Sequence, residues 1–514
     1  MYQSRSFRLL VILFLIIVCF VQVRAQTGHI HTPSELAQIQ TLKAQVEADP
    51  ESEQANQAFI GTFNIDDPAL EAQYRTWIKE FPKSFTIAFT IGKAYSNHGN
   101  SKAATFLRQA SVLKPDNDQI WYMLAGDAYL RNDLKLRQAY LKKAMQAAPD
   151  NISYLLNYAS SLEQTAPARR DSIYLEIAKW STDNDNAELA LSLLAEYASS
   201  PAQKIIYYKQ LHNRQVSHHS GSYSPAMTAY FDLLLNTDPT QALSLGQAMV
   251  IEDKLFVDVW QERLNVASQF IQARKLLAGN KPKEAIAILN QVQLDNNQLG
   301  HHIDAKETLV LFKAEAADAD KQVRAAYDTL AAAYSKLPTD KFHVALLKYG
   351  SKLGLDSNQV AANIQKIRIS SAKKATEFHL ENYYTSDKTS LADYAGKVVL
   401  LTYWFPGCGP CRAEFPHFES VMKKMDSQKV AYLGLNVFPS QNEYVVPFLK
   451  ESGYSFMPLR DDLKRAKGTL DAQAFPTNYL LDQKGRIVFS GFRIDAGNEE
   501  TLERMIRETL AAKE

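Results

Sequence analysis

The chain has 514 residues, too many for one ordinary domain and enough for two to four. Apolar residues make up 46% and charged residues 22%, which excludes a largely disordered or collagen-like chain. With 57 basic against 56 acidic residues there is no global field for nucleic acid. Three cysteines are too few for an array of disulfide-stapled small domains.

Residues 1–25 read as a signal peptide. Arg5 and Arg8 form a positive start, Leu9 to Val21 is an apolar run of 13 residues, and Val23-Arg24-Ala25 sets a cut at Ala25/Gln26. The run is shorter than the about 20 residues of a membrane span. Export to the periplasm is therefore expected, with an uncleaved membrane anchor as the alternative. Cys19 lies inside this run behind Val18, where lipidation wants a small residue, and leaves with it. The mature chain then holds only Cys408 and Cys411, in the spacing C-x-x-C. A single dithiol in an exported protein serves chemistry rather than stapling. His29 and His31 near the new N-terminus are weak metal candidates, and His218-His219 and His301-His302 read as exposed loop or helix residues.

Residues 26–370 read as all-helical. Ala, Leu, Gln and Lys dominate, and apolar residues recur at helical spacing, as in Ala285-Ile286-Ile288-Leu289 and Tyr327-Leu330-Ala331-Tyr334. A shift of 34 residues superposes Gly92 on Gly126, Ala94 on Ala128 and Tyr95 on Tyr129. It also takes Leu107 to Leu141, Ala110 to Ala144, and Pro115-Asp116-Asn117 to Pro149-Asp150-Asn151. This period resembles the tetratricopeptide repeat, clearest over 84–117 and 118–151, and Trp77 with Pro82 hints at one more upstream. Gly and Ala would let paired helices approach, and proline would stop the second helix of each pair. A generic helical bundle is the competing interpretation. The stretches 273–290 and 325–350 again look like helix pairs.

Ser370-Ser371-Ala372-Lys373-Lys374 reads as a linker, and residues 371–514 as an α/β domain. Strands are expected at 398–404, 430–437, 477–481 and 487–489, and helices at 411–425, 443–452 and 499–511. The last two strands, joined at Asp482-Gln483-Lys484-Gly485, should form an antiparallel hairpin.

The segment Tyr403-Trp404-Phe405-Pro406-Gly407-Cys408-Gly409-Pro410-Cys411-Arg412 joins a buried strand to a helix. Cys408 should sit at the helix N-terminus, where unpaired N–H groups and the macrodipole favour a thiolate. It is expected at the surface, with Cys411 one turn behind to resolve a mixed disulfide. Gly409 and Pro410 shape the turn between them. Far downstream, Phe475-Pro476-Thr477 enters a strand after a turn, a setting for a cis proline that would free neighbouring backbone to pair with an extended substrate.

The domain resembles the thioredoxin superfamily, and within it the TlpA/ResA-like exported thiol–disulfide oxidoreductases. The likeness is carried by Trp404-x-x-x-Cys408-Gly409-Pro410-Cys411-Arg412-x-Glu414-x-Pro416 and by the lead-in Leu391-Ala392-Asp393-Tyr394-Ala395-Gly396-Lys397-Val398-Val399-Leu400-Leu401. The 68 positions from Cys408 to Pro476, longer than in plain thioredoxin, complete it. The resemblance covers about a quarter of the chain. It implies Cys408 as nucleophile, Cys411 as buried resolving thiol and Pro476 as the cis proline. Trp404, Gly409, Pro410, Phe475 and Pro476 are the candidates for contact with substrate, with core packing the favoured reading of Trp404. Thioredoxin has a buried acid six positions before its first cysteine, where this chain has Thr402. Glu414 instead follows Cys411 by three, where the resemblance implies an acid near the buried thiol, acting as general base or as a brake on its ionisation. Gly407 stands where a tryptophan is usual.

Competing chemistries fail on residue count. Zinc wants four ligands and there is no second C-x-x-C, haem attachment wants His where Arg412 stands, and a peroxidatic cysteine wants Thr or Ser where Phe405 stands. Glu414 as a solvated helix residue is the alternative to its acid–base role. The expected activity is disulfide reduction or isomerisation, since Cys-Gly-Pro-Cys resembles thioredoxin at about −270 mV rather than a strong oxidant at about −120 mV. No cofactor is expected beyond the Cys408–Cys411 disulfide. Clients would be protein thiols and disulfides, and a DsbD-type membrane thiol transporter is implied as electron donor by family analogy. The helical repeats would dock the client or that donor. The alternative is a tetratricopeptide-type scaffold whose thioredoxin-like domain is largely structural.

Overall fold

A computed structural model describes residues 32–181, 184–214, 219–294, 303–469 and 472–512. The expected signal peptide with Cys19, together with His29, His31, His218, His301 and His302, lies outside the described residues. Among the described residues no helix is long and apolar enough to cross a membrane. The chain divides into two compact units at Asp150/Asn151.

From Pro33 to Ser371 the described secondary structure is nineteen α-helices, so the region is all-helical and fits a tetratricopeptide-like array. The repeated Pro-Asp-Asn explains its own period. Asn117 and Asn151 each cap the next helix, their side-chain oxygens accepting from the backbone N–H of Ile120 and Ser153. The helix pair Phe85–Asn97 with Ala103–Leu113 precedes Asn117, and the pair Asp118–Leu130 with Leu134–Ala147 runs between the two caps. Ala110 and Ala144, Leu107 and Leu141 are all buried, as the echo requires. The glycines do not echo. A Cβ on Gly92 would lie 2.9 Å from Leu107 Cγ, whereas Gly126 is exposed with nothing within 4 Å. Close helix approach thus explains the first glycine and not the second.

The predicted linker at 370–374 is a correction. Ser370 and Ser371 complete the helix Ser357–Ser371, and Lys373–Lys374 is a strand, β1, paired with Ile487 and Arg486. Its side chains are exposed and read as loop, but its backbone finds partners on an open sheet edge. The join is packed as well. Arg368 is buried, donates to Ser335 O at 3.1 Å and Glu508 Oε2 at 3.0 Å, and lies 4.3 Å over the Phe489 ring. Tyr334 also donates to Glu508, and Arg504 donates to Pro338 O at 2.8 Å. Helices before residue 371 and the domain after it therefore share one seam.

The C-terminal domain is an eight-stranded sheet. After β1 come β2 (His379–Asn382), β3 (Lys388–Ser390), β4 (Val398–Trp404), β5 (Val430–Asn436), β6 (Met457–Arg460), β7 (Thr477–Leu481) and β8 (Arg486–Ser490). The order is β1-β8-β7-β4-β5-β6-β2-β3, with β4, β5 and β6 parallel and the other pairings antiparallel. Gly485 at φ +73° turns the β7–β8 hairpin as expected. The sequence missed β2, β3, β6 and the helix Leu463–Thr469, which are too short to show a period.

β4 is buried at every position, and alternation sorts its two faces. Val398, Leu400 and Trp404 pack with Phe415 and Phe418 of the helix Gly409–Met422 and with Leu502 and Met505 of the helix Glu499–Ala511. Val399, Leu401 and Tyr403 pack on the opposite face with Leu433, Leu481 and Phe378. The one polar side chain of the first face is Thr402. It stands in register with Asn478 of β7 on one side and Gly434 of β5 on the other.

The glycine contrast is testable. Gly92→Ala should cost about 1–3 kcal/mol by overpacking against Leu107. Gly126→Ala should be neutral or stabilise by up to about 1 kcal/mol through helix propensity. Urea denaturation of the full chain reads both, and equal losses would refute the close approach at Gly92.

Candidate redox site

Cys408 is the N-cap of the helix Gly409–Met422, four residues beyond the end of β4. Its Sγ accepts the backbone N–H of Cys411 at 3.2 Å and is joined to Cys411 Sγ in a disulfide. Gly409 and Pro410 lie between them and are exposed, with Pro410 in the first helical turn, where no N–H is needed. Cys411 is 0% and Cys408 4% exposed. The nucleophile expected at the surface is thus tucked in, because the bonded sulfur turns toward Cys411. The loop before it is pinned from another element: Gln441 Oε1 accepts Gly407 N–H at 2.7 Å.

The Phe475–Pro476 peptide is cis, as the sequence indicated. Thr477, the next residue, pairs with Tyr403, so β7 begins where β4 ends, on the same end of the sheet as the dithiol. Phe405 bridges the two segments. Its ring lies 6.0 Å from Phe475 and 5.0 Å from Phe438, forming an aromatic ridge in which Phe438 is exposed.

Glu414 is 5% exposed, one helical turn beyond Cys411 on the same buried face. Asn478 Nδ2 donates to Oε2 at 2.8 Å, Ile494 N–H to Oε1 at 3.3 Å, and Arg493 Nη1 stands 3.7 Å away. Burial pushes the carboxyl above its ordinary value, and the Asn478 donor and Arg493 charge oppose that rise only in part.

Residues 372–490 match the AhpC/TSA family. "Thioredoxin-like protein YneN" of Bacillus subtilis (strain 168) is 31% identical over 124 residues, which is 24% of this chain and 72% of that protein. "Thiol-disulfide oxidoreductase ResA" of the same strain is 32% identical over 123 residues, covering 24% of this chain and 68% of that one. The chain belongs to the thioredoxin-like thiol–disulfide oxidoreductases. Among solved structures, a DsbF homologue from Corynebacterium diphtheriae is 27% identical over 28% of this chain and 88% of that chain, with a TM-score of 0.24.

In this oxidoreductase Trp404 does not face a client. It is 0% exposed and its ring sits 5.1–5.2 Å from those of Phe415, Phe448 and Phe456, so it packs the layer beneath the redox helix. Gly434 keeps room for it, since a side chain there would strike Phe456 and the Trp404 indole nitrogen. His219 departs from its surface reading. It pairs with the buried Glu188 at 2.6 Å and stacks on Tyr223, far along the chain from the dithiol. Sequence reasoning missed Gln441 and Asn478. Asn478 carried a signal: it is a polar residue on the inward face of a strand, two positions after Pro476. Gln441, in a short turn after β5, carried none.

Burial of Glu414 makes a stability prediction. Its carboxyl binds a proton more tightly folded than unfolded, so the contribution to stability is fully present below the unfolded value and lost as pH rises through the folded one. Glu414→Gln should remove that decline. Urea midpoints of variant and wild type, compared from about pH 4 to about pH 8, should diverge in the variant's favour with rising pH. Parallel curves would mean Glu414 does not titrate as a buried acid.

Proposed function

We propose that this chain is an exported, periplasmic oxidoreductase that reduces or isomerises disulfides of client proteins at Cys408. The observation that carries the reading is the hydrogen bond from Cys411 N–H to Cys408 Sγ at the helix N-terminus. An N-cap sulfur accepts best when negatively charged, so the same contact stabilises the thiolate that exchange requires.

In the reduced protein the Cys408 thiolate attacks one sulfur of a client disulfide. A Cys408–client bond forms, the client S–S bond breaks, and the departing client thiolate takes a proton from solvent. Cys411 then gives its proton to Glu414 and attacks Cys408 Sγ. The second client thiolate leaves, and two electrons have passed from the dithiol to the client. Isomerisation ends instead when a client thiol displaces Cys408. The cis Pro476 segment would pair with extended client backbone, while Phe405, Phe438 and Phe475 would contact its apolar side chains. Restoring the dithiol in an oxidising compartment needs electrons from a membrane thiol transporter of the DsbD type. The tetratricopeptide-like helices would dock the client or that donor.

Insulin reduction with dithiothreitol tests the chemistry. Wild type should accelerate turbidity and Cys408→Ser should fall to the uncatalysed rate, whereas two equally inactive proteins would sink the reading in favour of a scaffold. Cys411→Ser should accumulate mixed disulfides with clients in cells.

A further inference from the structure

The position where thioredoxin keeps a buried acid is occupied by Thr402, yet the site is not simply missing a polar group. Thr402 Oγ1 donates to Asn478 Oδ1 at 2.9 Å. Asn478 Nδ2 donates to Glu414 Oε2 at 2.8 Å and to Phe492 O at 3.1 Å. Thr402 and Asn478 are wholly buried, and both of the amide's hydrogens and its oxygen are engaged.

The surroundings leave the amide one orientation. A carboxylate and a backbone carbonyl, both acceptors, face one end of Asn478, so that end must be the NH2. The oxygen therefore faces Thr402, whose hydroxyl must donate. A flipped amide would set three acceptors against one another in a site without solvent. Thr402 thus acts on Glu414 at one remove. Its hydroxyl fixes the amide, and the amide fixes the carboxylate.

The other groups facing Glu414 are few. Arg493, on the segment after β8, is half exposed and 3.7 Å away, so solvent weakens its pull. The Ile494 backbone N–H, which donates to Oε1 at 3.3 Å, the Tyr432 hydroxyl on β5 and Cys411 on Glu414's own helix are the others among the described residues. Among the described residues the Asn478 amide is the buried side-chain donor to this carboxylate and makes its shortest hydrogen bond, at 2.8 Å.

We infer that Asn478 is a positioning residue of this redox centre, oriented by Thr402, which holds the Glu414 carboxylate beside Cys411 and sets the pH at which that group releases its proton. The inference rests on the acid–base role proposed for Glu414. It assigns to a strand residue two positions after the cis proline the task of coupling the sheet to the resolving thiol's proton acceptor.

The test is the pH profile of Cys408 alkylation by iodoacetamide in the reduced full-length protein, with folding checked by near-ultraviolet circular dichroism. Wild type should show an inflection that Glu414→Gln removes. Asn478→Leu should move that inflection upward by about one pH unit or more, because a buried carboxylate has lost a charge-assisted donor. Thr402→Val, which keeps the side-chain shape, should move it the same way by less, and Thr402→Ser should return it to the wild-type position. Should Asn478→Leu fail to fold, Thr402→Val against Thr402→Ser decides the matter. An inflection abolished by Glu414→Gln but unmoved in Asn478→Leu and Thr402→Val overturns this inference alone. A profile unchanged by Glu414→Gln overturns the acid–base role and the inference with it.

Discussion

The contact between Cys408 Sγ and the N–H of Cys411 organises everything else in the C-terminal domain. A helix start leaves unsatisfied N–H groups, and here one of them is met by sulfur rather than by the usual oxygen. For that to happen β4 must deliver Cys408 at the end of a fully buried strand, and the helix must then turn Cys411 under cover. Gln441 secures the approach from outside, and Pro410 starts the helix without wasting a donor. Loss of this one geometry would leave an ordinary sheet-and-helix layer holding two unremarkable thiols.

Beneath the helix lies an apolar layer with one polar row cut into it. Thr402, Asn478 and Gly434 occupy adjacent strands in register, and Glu414 descends onto them from the helix above. Polar groups in such a layer are tolerable only when satisfied, and the row satisfies its own members. Gly434 contributes by absence, making space for Trp404. The arrangement places a carboxyl where burial disfavours its charge, and supplies donors that offset part of that penalty.

The helices just before residue 371 meet this domain through a packed seam rather than through a tether. Arg368 is held by Ser335, Glu508 and the face of Phe489, so the last helix before residue 371 and the final helix of the chain share a buried cation. Removing Glu508 would be costly, because the Arg368 charge stays buried.

Much of this was legible along the chain. The C-x-x-C spacing at a strand-to-helix junction and Phe475-Pro476-Thr477 at the entry to a strand mark the dithiol and the cis peptide, because each is a local pattern, while the buried acid at Glu414 was implied by the family resemblance. The 34-residue echo marked helix pairs for the same reason: Asn117 and Asn151 are local caps. What the chain could not disclose were relations across space. Lys373-Lys374 became a strand because β8 offered an open edge, and Gly92 and Gly126 parted company because only one meets a neighbour. Thr402 looked like a missing acid until the register of β4 with β7 set it against Asn478. Spacing within one helix or turn is written in the sequence, but the partner of a buried polar group is chosen by which strands lie side by side, and tertiary packing alone decides that.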